Sequence, residues 1–201
     1  MRMALKPAVK ICGIKHYEDA VMISRYEPDM MGVVLDPKVQ RSGDESLIRR
    51  MNNLGIPTVG VYTEESAIMH SDLNEDMVQI HFPHGDRIID YVHSAGRKVI
   101  SVVNFTGPQN SLLEIKSRKN AGADLILLER REGIADIVPV LGPVLHSVRT
   151  GLSGRISASN VNRLLDLNPE FVDLSSSLES SIGRKDPEKV RDFFREFRNH
   201  E

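Results

Sequence analysis

The sequence predicts an α/β protein, a single-domain (β/α)8 TIM barrel that covers residues 1–201. Short β-branched apolar runs alternate along the chain with amphipathic stretches of helical spacing, which favours parallel strands joined by helical crossovers. Eight such units occur, and no glycine-rich dinucleotide turn follows the first apolar run. An open doubly wound sheet would give the same periodicity and stands as the alternative fold.

Eight apolar runs are the expected strands. In chain order they are Ala8–Cys12, Met31–Leu35, Thr58–Tyr62, Met77–His81, Val99–Asn104, Leu125–Glu129, Ser147–Leu152 and Phe171–Ser175. Glycine or proline precedes several of these runs, as expected where a helix ends and a short loop leads into a strand. The spacing therefore predicts that each strand is followed directly by its helix.

Helix starts are marked by small polar or acidic residues. The candidates are Ser42 or Asp44 before 45–54, Ser157 before 158–165, and Asp186 with Pro187 before the last helix. The sixth crossover, Glu132 to Pro143, contains Pro139, Gly142 and Pro143. Proline removes a backbone donor, so a short or irregular helix is expected there.

The composition excludes several classes of protein. Acidic residues (28) and basic residues (26) nearly cancel, and the basic ones form no stripe, so nucleic acid is not an expected partner. The amino terminus lacks the apolar core of a signal peptide, and the apolar runs are too short to span a bilayer. We expect a soluble, cytoplasmic protein with no membrane partner. The histidines show no metal-ligand spacing, so no metal is expected.

Cys12 is the only cysteine and ends the first expected strand, which places it at the carboxyl-terminal rim, where barrel active sites are built. A free thiol has a pKa of about 8.5, and nearby cations can lower that pKa enough to give a base near neutrality. The alternative is that Cys12 is a small buried hydrophobe. By two-residue alternation Lys10 also points into the barrel, with Glu129 or Asp173 as its expected partner.

Several motifs resemble those of the phosphoribosylanthranilate isomerases. They are Lys10-Ile11-Cys12-Gly13-Ile14 with Asp19-Ala20, Gly32-Val33-Val34-Leu35 with Pro37-Lys38 and Arg41-Ser42, Val59-Gly60-Val61-Tyr62, Val78-Gln79-Ile80-His81 (family "VQLHG"), and 173–180 (family "DVSSGVE"). The similarity covers nearly the whole chain, and the first and last motifs are the most specific.

The resemblance implies an Amadori rearrangement of N-(5'-phosphoribosyl)anthranilate in tryptophan biosynthesis, without metal or organic cofactor. A general acid opens the furanose ring and a general base removes the C2' proton. The resemblance makes Cys12 the base. The acid is expected to be Asp136, in register with the family's "FDW" segment, with Glu129 or Glu132 as reserves. The family's glycine-rich stretch before that segment is missing here, and Asp136 could instead only cap a short helix.

The loops after strands seven and eight are the expected phosphate site, since small residues there let backbone N–H groups and a helix N-terminus face an anion. The candidates are Gly151, Ser153, Gly154, Ser175, Ser176 and Ser177. Compared with the family, Ser153 and Ser177 replace glycines, and their hydroxyl groups are expected to donate to the phosphate. The alternative is that these residues are ordinary helix caps.

By the same resemblance, Arg41 is the candidate for the anthranilate carboxylate, and Gln79 and His81 are substrate-binding candidates at the fourth strand's end. An arginine near a helix start is often only solvated, and a lone histidine at a rim is as often structural as catalytic. The expected partner is a small phosphosugar, and the protein is expected to be a monomer or a homodimer. The alternatives are another phosphosugar barrel enzyme, such as an epimerase or decarboxylase, or a noncatalytic phosphosugar-binding barrel.

Overall fold

A computed structural model describes residues 6–200 of the chain. Eight parallel strands form a closed barrel in sequential order, which confirms the predicted fold and excludes the open sheet. The strands are β1 (Ala8–Ile11), β2 (Met30–Val34), β3 (Thr58–Tyr62), β4 (Met77–Ile80), β5 (Lys98–Asn104), β6 (Leu125–Glu129), β7 (Gly151–Ser153) and β8 (Phe171–Leu174).

Helices surround the barrel and alternate with its strands. They are α1 (Tyr17–Ser24), α2 (Glu45–Met51), α3 (Glu65–Met69), α4 (Asp86–Ser94), α5 (Pro108–Asn120), α6 (Val138–Ser147), α7 (Val161–Leu165) and α8 (Pro187–Arg198). Two of the predicted helix starts are confirmed: the carboxylate of Asp44 accepts from the Leu47 amide, and that of Asp186 accepts from the Glu188 and Lys189 amides.

The predicted helix start at Ser157 is wrong. The Ser157 amide donates to the Asn160 side-chain oxygen at 2.9 Å, and the Asn160 amide donates back to the Ser157 carbonyl at 3.2 Å. These two hydrogen bonds close a turn, because an asparagine side chain offers the backbone an alternative to helical pairing. As a result α7 begins only at Val161.

The seventh strand is displaced from its predicted range. It covers Gly151–Ser153, because α6 continues through Ser147 and is longer than its prolines suggested. The buried side chains of Leu141, Val144 and Leu145 lie on one face of α6 at helical spacing. The burial of that apolar face outweighs the hydrogen bond lost at Pro143.

The first and last strands close the barrel in a fixed register. Lys10 of β1 lies beside Asp173 of β8, and Ile11 lies beside Leu174. Beyond β8 the chain forms a small antiparallel hairpin that the sequence did not suggest, β9 (Glu179–Ser181) and β10 (Arg184–Lys185). Closure therefore brings residues from both ends of the chain to the same rim.

The barrel interior is filled by side chains from alternate strand positions. This interior layer contains Cys12, Met30, Val34, Val59, Val61, Ile100, Val102, Leu127 and Phe171. A second and larger apolar cluster lies between the strands and the surrounding helices. In the described part of the chain no helix is both long and apolar enough to cross a bilayer.

We predict that Gly151→Ala destabilises the barrel. A Cβ at this position would lie 2.3 Å from two ring atoms of Phe171, which is buried and cannot move away. Overpacking of this kind costs about 1–3 kcal/mol, measurable as a lower urea midpoint. Gly142→Ala in α6 is the matched control, since nothing lies within 4 Å of its Cβ and alanine favours helix. Equal midpoints for the two variants would contradict the packing argument.

Candidate active site

A cavity of about 370 Å³ opens at the carboxyl-terminal end of the barrel. It is lined by Arg41, Glu129, Arg131, Ser153, Gly154, Arg155, Ile156, Asp173, Ser175, Ser176 and Ser177. A larger cavity of about 760 Å³ lies at the opposite end, between Pro57, Asp76 and Lys98. Barrel enzymes place their chemistry at the carboxyl ends of the strands, so the smaller cavity is the candidate site.

Cys12 lies at the rim immediately after β1. Its amide donates to the Leu174 carbonyl at 2.7 Å, which fixes it against β8. The side chain is only 7% exposed and belongs to the apolar interior layer, at the edge of the cavity rather than among the residues that line it. Its sulfur and the ammonium of Lys10 flank Gly32, where an added Cβ would lie 3.0 Å from Sγ and 3.1 Å from Nζ.

Burial raises the pKa of Cys12, and the positive charge of Lys10 lowers it by a smaller amount. The expectation that nearby cations would bring this pKa down to neutrality is therefore not met in the free protein. Desolvation of the thiolate is the larger effect because the sulfur is surrounded by apolar side chains. The resting form of Cys12 at neutral pH is the thiol.

Lys10 is fully buried and donates to both carboxylate oxygens of Asp173, at 3.0 and 3.1 Å. Of the two partners that the sequence allowed, the structure selects Asp173. Burial lowers the pKa of Lys10, but the charge of Asp173, together with the interactions with Cys12, outweighs that effect and raises it overall. Lys10 therefore remains a cation beneath the thiol.

Glu129 ends β6 and lines the cavity with its side chain only 15% exposed. Its Oε2 atom is buried and has no hydrogen-bond partner in residues 6–200; Arg131 Nε is 3.7 Å away. Burial raises the pKa of Glu129, opposed in part by the charge of Arg131. The cavity thus contains a carboxyl group whose pKa is shifted in the direction that a general acid requires.

Asp136 does not share this environment. It lies in a 3-10 turn (Ile134–Ile137) that precedes α6, its side chain is 68% exposed, and it is not among the residues that line the cavity. Its carboxylate is 3.7 Å from Arg130. The placement does not fit the role predicted for Asp136, because the short loop after β6 turns this residue outward; the reserve candidate Glu129 takes the interior position.

Gln79 and His81 of the β4 segment bond to each other, with 2.7 Å between Nε2 of each side chain, and neither lines the cavity. Burial, followed by the charges of Lys10 and Arg131, lowers the pKa of His81 to about 4. His81 is therefore neutral near pH 7, and its 4.0 Å approach to Glu129 is not an ion pair. The two predicted substrate contacts lie beside the cavity.

Arg41 reaches the cavity from the loop between β2 and α2. Its guanidinium donates to the Ser175 hydroxyl at 3.2 Å and lies 3.6 Å from the carboxylate of Glu179. The side chain is 28% exposed, so it is held in place rather than free in solvent. It presents a fixed cation at the side of the cavity next to β1.

Five of the six residues predicted to bind phosphate line the cavity, and Gly151 does not, because it lies inside β7 against Phe171. The amides of Gly154, Ser176 and Ser177 donate to no acceptor within the described chain. The hydroxyl of Ser177 donates to the Ile156 carbonyl, so this hydroxyl proton is not free to donate to a phosphate. Helix α7 begins at Val161, six residues beyond Arg155. The groups that face the cavity are therefore loop amides and not the N-terminus of this helix.

Lys185 was not suggested by the sequence as a functional residue, although its side chain contacts the backbone of two rim residues, Cys12 and Ser175. It is buried, and its Nζ donates to the carbonyls of Cys12 at 2.7 Å and Ser175 at 3.0 Å, with Glu179 at 3.4 Å. In the sequence Lys185 lies in a charged segment, and such a segment normally indicates solvated surface.

Across residues 6–200, no three histidine, cysteine or acidic side chains form a group that could hold a metal ion.

Residues 9–196 match the family model described as N-(5'phosphoribosyl)anthranilate (PRA) isomerase. The N-(5'-phosphoribosyl)anthranilate isomerase of Thermoplasma volcanium is 40% identical over 191 residues, which cover 95% of this chain and 96% of that protein. The enzyme of the same name from Sulfolobus acidocaldarius is 28% identical, with 90% and 92% covered.

Solved structures give the same relationship. N-(5'-phosphoribosyl)anthranilate isomerase from Pyrococcus furiosus superposes with a TM-score of 0.82 at 25% identity, covering 96% of this chain and 99% of that one. Monomers of the dimeric enzyme from Thermotoga maritima give the same values. A phosphoribosyl anthranilate isomerase in complex with reduced 1-(o-carboxyphenylamino)-1-deoxyribulose 5-phosphate shares the fold, with a TM-score of 0.81, 23% identity, and 96% and 99% covered.

We predict that alkylation of Cys12 by iodoacetamide, followed by mass spectrometry, rises with pH around a midpoint above the value of about 8.5 for free cysteine. The reason is that burial raises the pKa of this single thiol. Replacing the pair together, Lys10→Met with Asp173→Asn, should move the midpoint higher, since the lowering effect of Lys10 exceeds the raising effect of Asp173. The urea-unfolded chain is the control and should show the free value; a native midpoint at or below it would contradict this account.

Proposed function

The chain belongs to the N-(5'-phosphoribosyl)anthranilate isomerase family, and we propose that Cys12 and Glu129 are the base and the acid of its reaction. The reaction is the intramolecular rearrangement of N-(5'-phosphoribosyl)anthranilate to 1-(2-carboxyphenylamino)-1-deoxyribulose 5-phosphate, a step of tryptophan biosynthesis. The arrangement that supports this assignment is a carboxyl group with a raised pKa, a buried thiol and an amide-lined anion end around one cavity.

The first step is ring opening. Glu129 donates its proton to the furanose oxygen, the bond from that oxygen to C1' breaks, and the anthranilate nitrogen lone pair forms the C1'=N iminium. The raised pKa of Glu129 supports this role, since burial favours the proton-bearing form and its Oε2 has no competing hydrogen-bond partner in the described residues.

In the second step the Cys12 thiol releases its proton to solvent, and the resulting thiolate removes the C2' proton. The electrons of that C–H bond form C1'=C2', the iminium nitrogen becomes neutral, and the enolamine tautomerises to the ketone. Burial disfavours the thiolate in the free protein, but the iminium brings a positive charge to the site. An adjacent cation lowers the pKa of a thiol, so ring opening itself activates the base, together with Lys10 below it.

The remaining contacts orient the two ends of the substrate. Arg41 pairs with the anthranilate carboxylate through its guanidinium fork. The loops that contain Ser153, Gly154 and Ser175 to Ser177 receive the phosphate through their amides. These roles agree with the placement of the residues around the cavity, where Arg41 adjoins Ser175. The partner is thus a small phosphosugar, bound by a monomer or by a homodimer of the kind named for the Thermotoga maritima relative.

We predict that Glu129→Gln lowers kcat by about 10²–10⁴-fold, the usual contribution of a general acid, while Asp136→Asn changes it less than about threefold. The reason is that Glu129 lies in the cavity and Asp136 is exposed outside it. Steady-state turnover of phosphoribosylanthranilate is the measurement, with circular dichroism as the control for folding. A large loss in Asp136→Asn with activity retained in Glu129→Gln would reverse the assignment of the acid.

Cys12→Ser tests the base, and we expect a loss of similar size because an alcohol is a far weaker acid than a thiol and supplies little anion at neutral pH. The same assay and folding control apply. A native protein that binds the substrate but never isomerises it would instead identify a noncatalytic phosphosugar-binding barrel.

A further inference from the structure

Arg155 is an exposed, charged residue within the small-residue loop that follows β7, and it is one of the residues that line the candidate cavity. Its backbone has φ of +50°, in the left-handed region that residues other than glycine and asparagine rarely adopt. Glycine would take this conformation without strain. The strain at Arg155 suggests that its side chain has a use at this position.

The backbone around Arg155 is held by hydrogen bonds to its carbonyl groups. The carbonyl of Gly154 accepts from the Ile134 amide at 3.0 Å, and that of Arg155 accepts from the Asn160 side chain at 2.9 Å. The carbonyl of Ile156 accepts from the Ser177 hydroxyl. Three successive carbonyl groups are thus occupied, whereas the amides of the same three residues have no acceptor within the described chain.

Gly154 cannot be replaced without moving this loop. A Cβ there would lie 1.9 Å from the Arg130 carbonyl oxygen, and φ is +126°. Gly154 and Arg155 both have positive φ, so the course of this loop depends on two successive backbone conformations that most residues avoid. The loop is therefore preorganised before any ligand arrives.

The charges of the cavity single out Arg155 among its three arginines. Arg41 lies near Glu179 at 3.6 Å, and Arg131 lies near Glu129 at 3.7 Å. The guanidinium of Arg155 has no acidic partner in residues 6–200, and Asp173 is already compensated by Lys10. Arg155 is thus the one arginine of the cavity lining that has no carboxyl group beside it within the described residues.

We propose that the Arg155 side chain is a direct ligand of the substrate phosphate and adds a charge-assisted contact to the backbone amides of its own loop. This inference rests on the proposed function, because it assigns the phosphate to the β7 and β8 end of the cavity. A guanidinium fork fits the oxygens of a phosphate, and a dianion near Glu129 and Asp173 needs an uncompensated cation. Arg155 is a substrate-binding residue and takes no part in proton transfer.

The test compares the native protein with Arg155→Gly in steady-state kinetics and in binding of inorganic phosphate by calorimetry. Loss of one charge-assisted contact should raise KM, and the dissociation constant for phosphate, by about tenfold to a hundredfold, with kcat changed less than about threefold. The melting temperature of Arg155→Gly should stay equal or rise, because glycine relieves the strain at positive φ. Weaker binding together with undiminished stability is a result that a purely structural role would not give.

Two further variants complete the design. Glu27→Gly is the matched control, since Glu27 is also exposed with φ of +52° but lies before β2 at the other end of the barrel; its KM should equal the native value. Arg155→Asn keeps a residue that tolerates positive φ and serves if the glycine variant folds poorly.

Native KM and native phosphate affinity in folded Arg155→Gly and Arg155→Asn would overturn the proposal while leaving the isomerase assignment intact. If the native protein does not isomerise phosphoribosylanthranilate, the proposed function fails, and the phosphate titrations of the same variants still decide whether Arg155 binds the anion.

Discussion

The buried ion pair between Lys10 and Asp173 determines how the two ends of the chain meet. It joins β1 to β8 with 3.0 Å between the charged atoms, and both residues occupy the same level of the barrel interior. A buried charge without a partner is strongly unfavourable, so any slip of β8 against β1 that separated the pair would leave two uncompensated charges. The register of closure is therefore specified, and the thiol of Cys12 and the hydroxyl of Ser175 are brought to neighbouring positions at the rim.

A second buried lysine completes this connection just above the first. Lys185 donates to the carbonyls of Cys12 and Ser175 and lies near Glu179, which in turn lies near Arg41. Lys185 lies in β10, so the hairpin of β9 and β10 places this lysine beside the rim. One network thus positions Cys12, Arg41 and the start of the loop after β8, so we expect substitutions in it to alter several of the proposed functions at once.

The chemistry proposed for the site depends on the same effect of burial on two acids, a carboxyl group and a thiol. Burial raises the pKa of Glu129, which favours the proton donor that ring opening needs, and it raises the pKa of Cys12, which holds the base in reserve as the thiol. The cationic intermediate then favours the thiolate at the moment when a base is required. Desolvation therefore favours the proton donor in the first step and keeps Cys12 neutral until the second step. The fixed positive charge of Lys10 then helps to stabilise the thiolate.

The sequence by itself determined the eight alternating strand and helix units, which favour a barrel over an open sheet, and the rim position of Cys12, because apolar periodicity and strand-end location are local properties of the chain. It also limited the partner of Lys10 to two acids. Closure of the strands into a barrel was decided by the tertiary structure. Only the tertiary structure decided that Glu129 rather than Asp136 enters the cavity, that Gly151 packs against Phe171, and that Lys185 is buried. These outcomes depend on loop direction, on strand displacement and on closure between residues more than 160 positions apart, as in the Lys10–Asp173 contact with a separation of 163. No local pattern encodes which of several similar charged side chains such closure will bury.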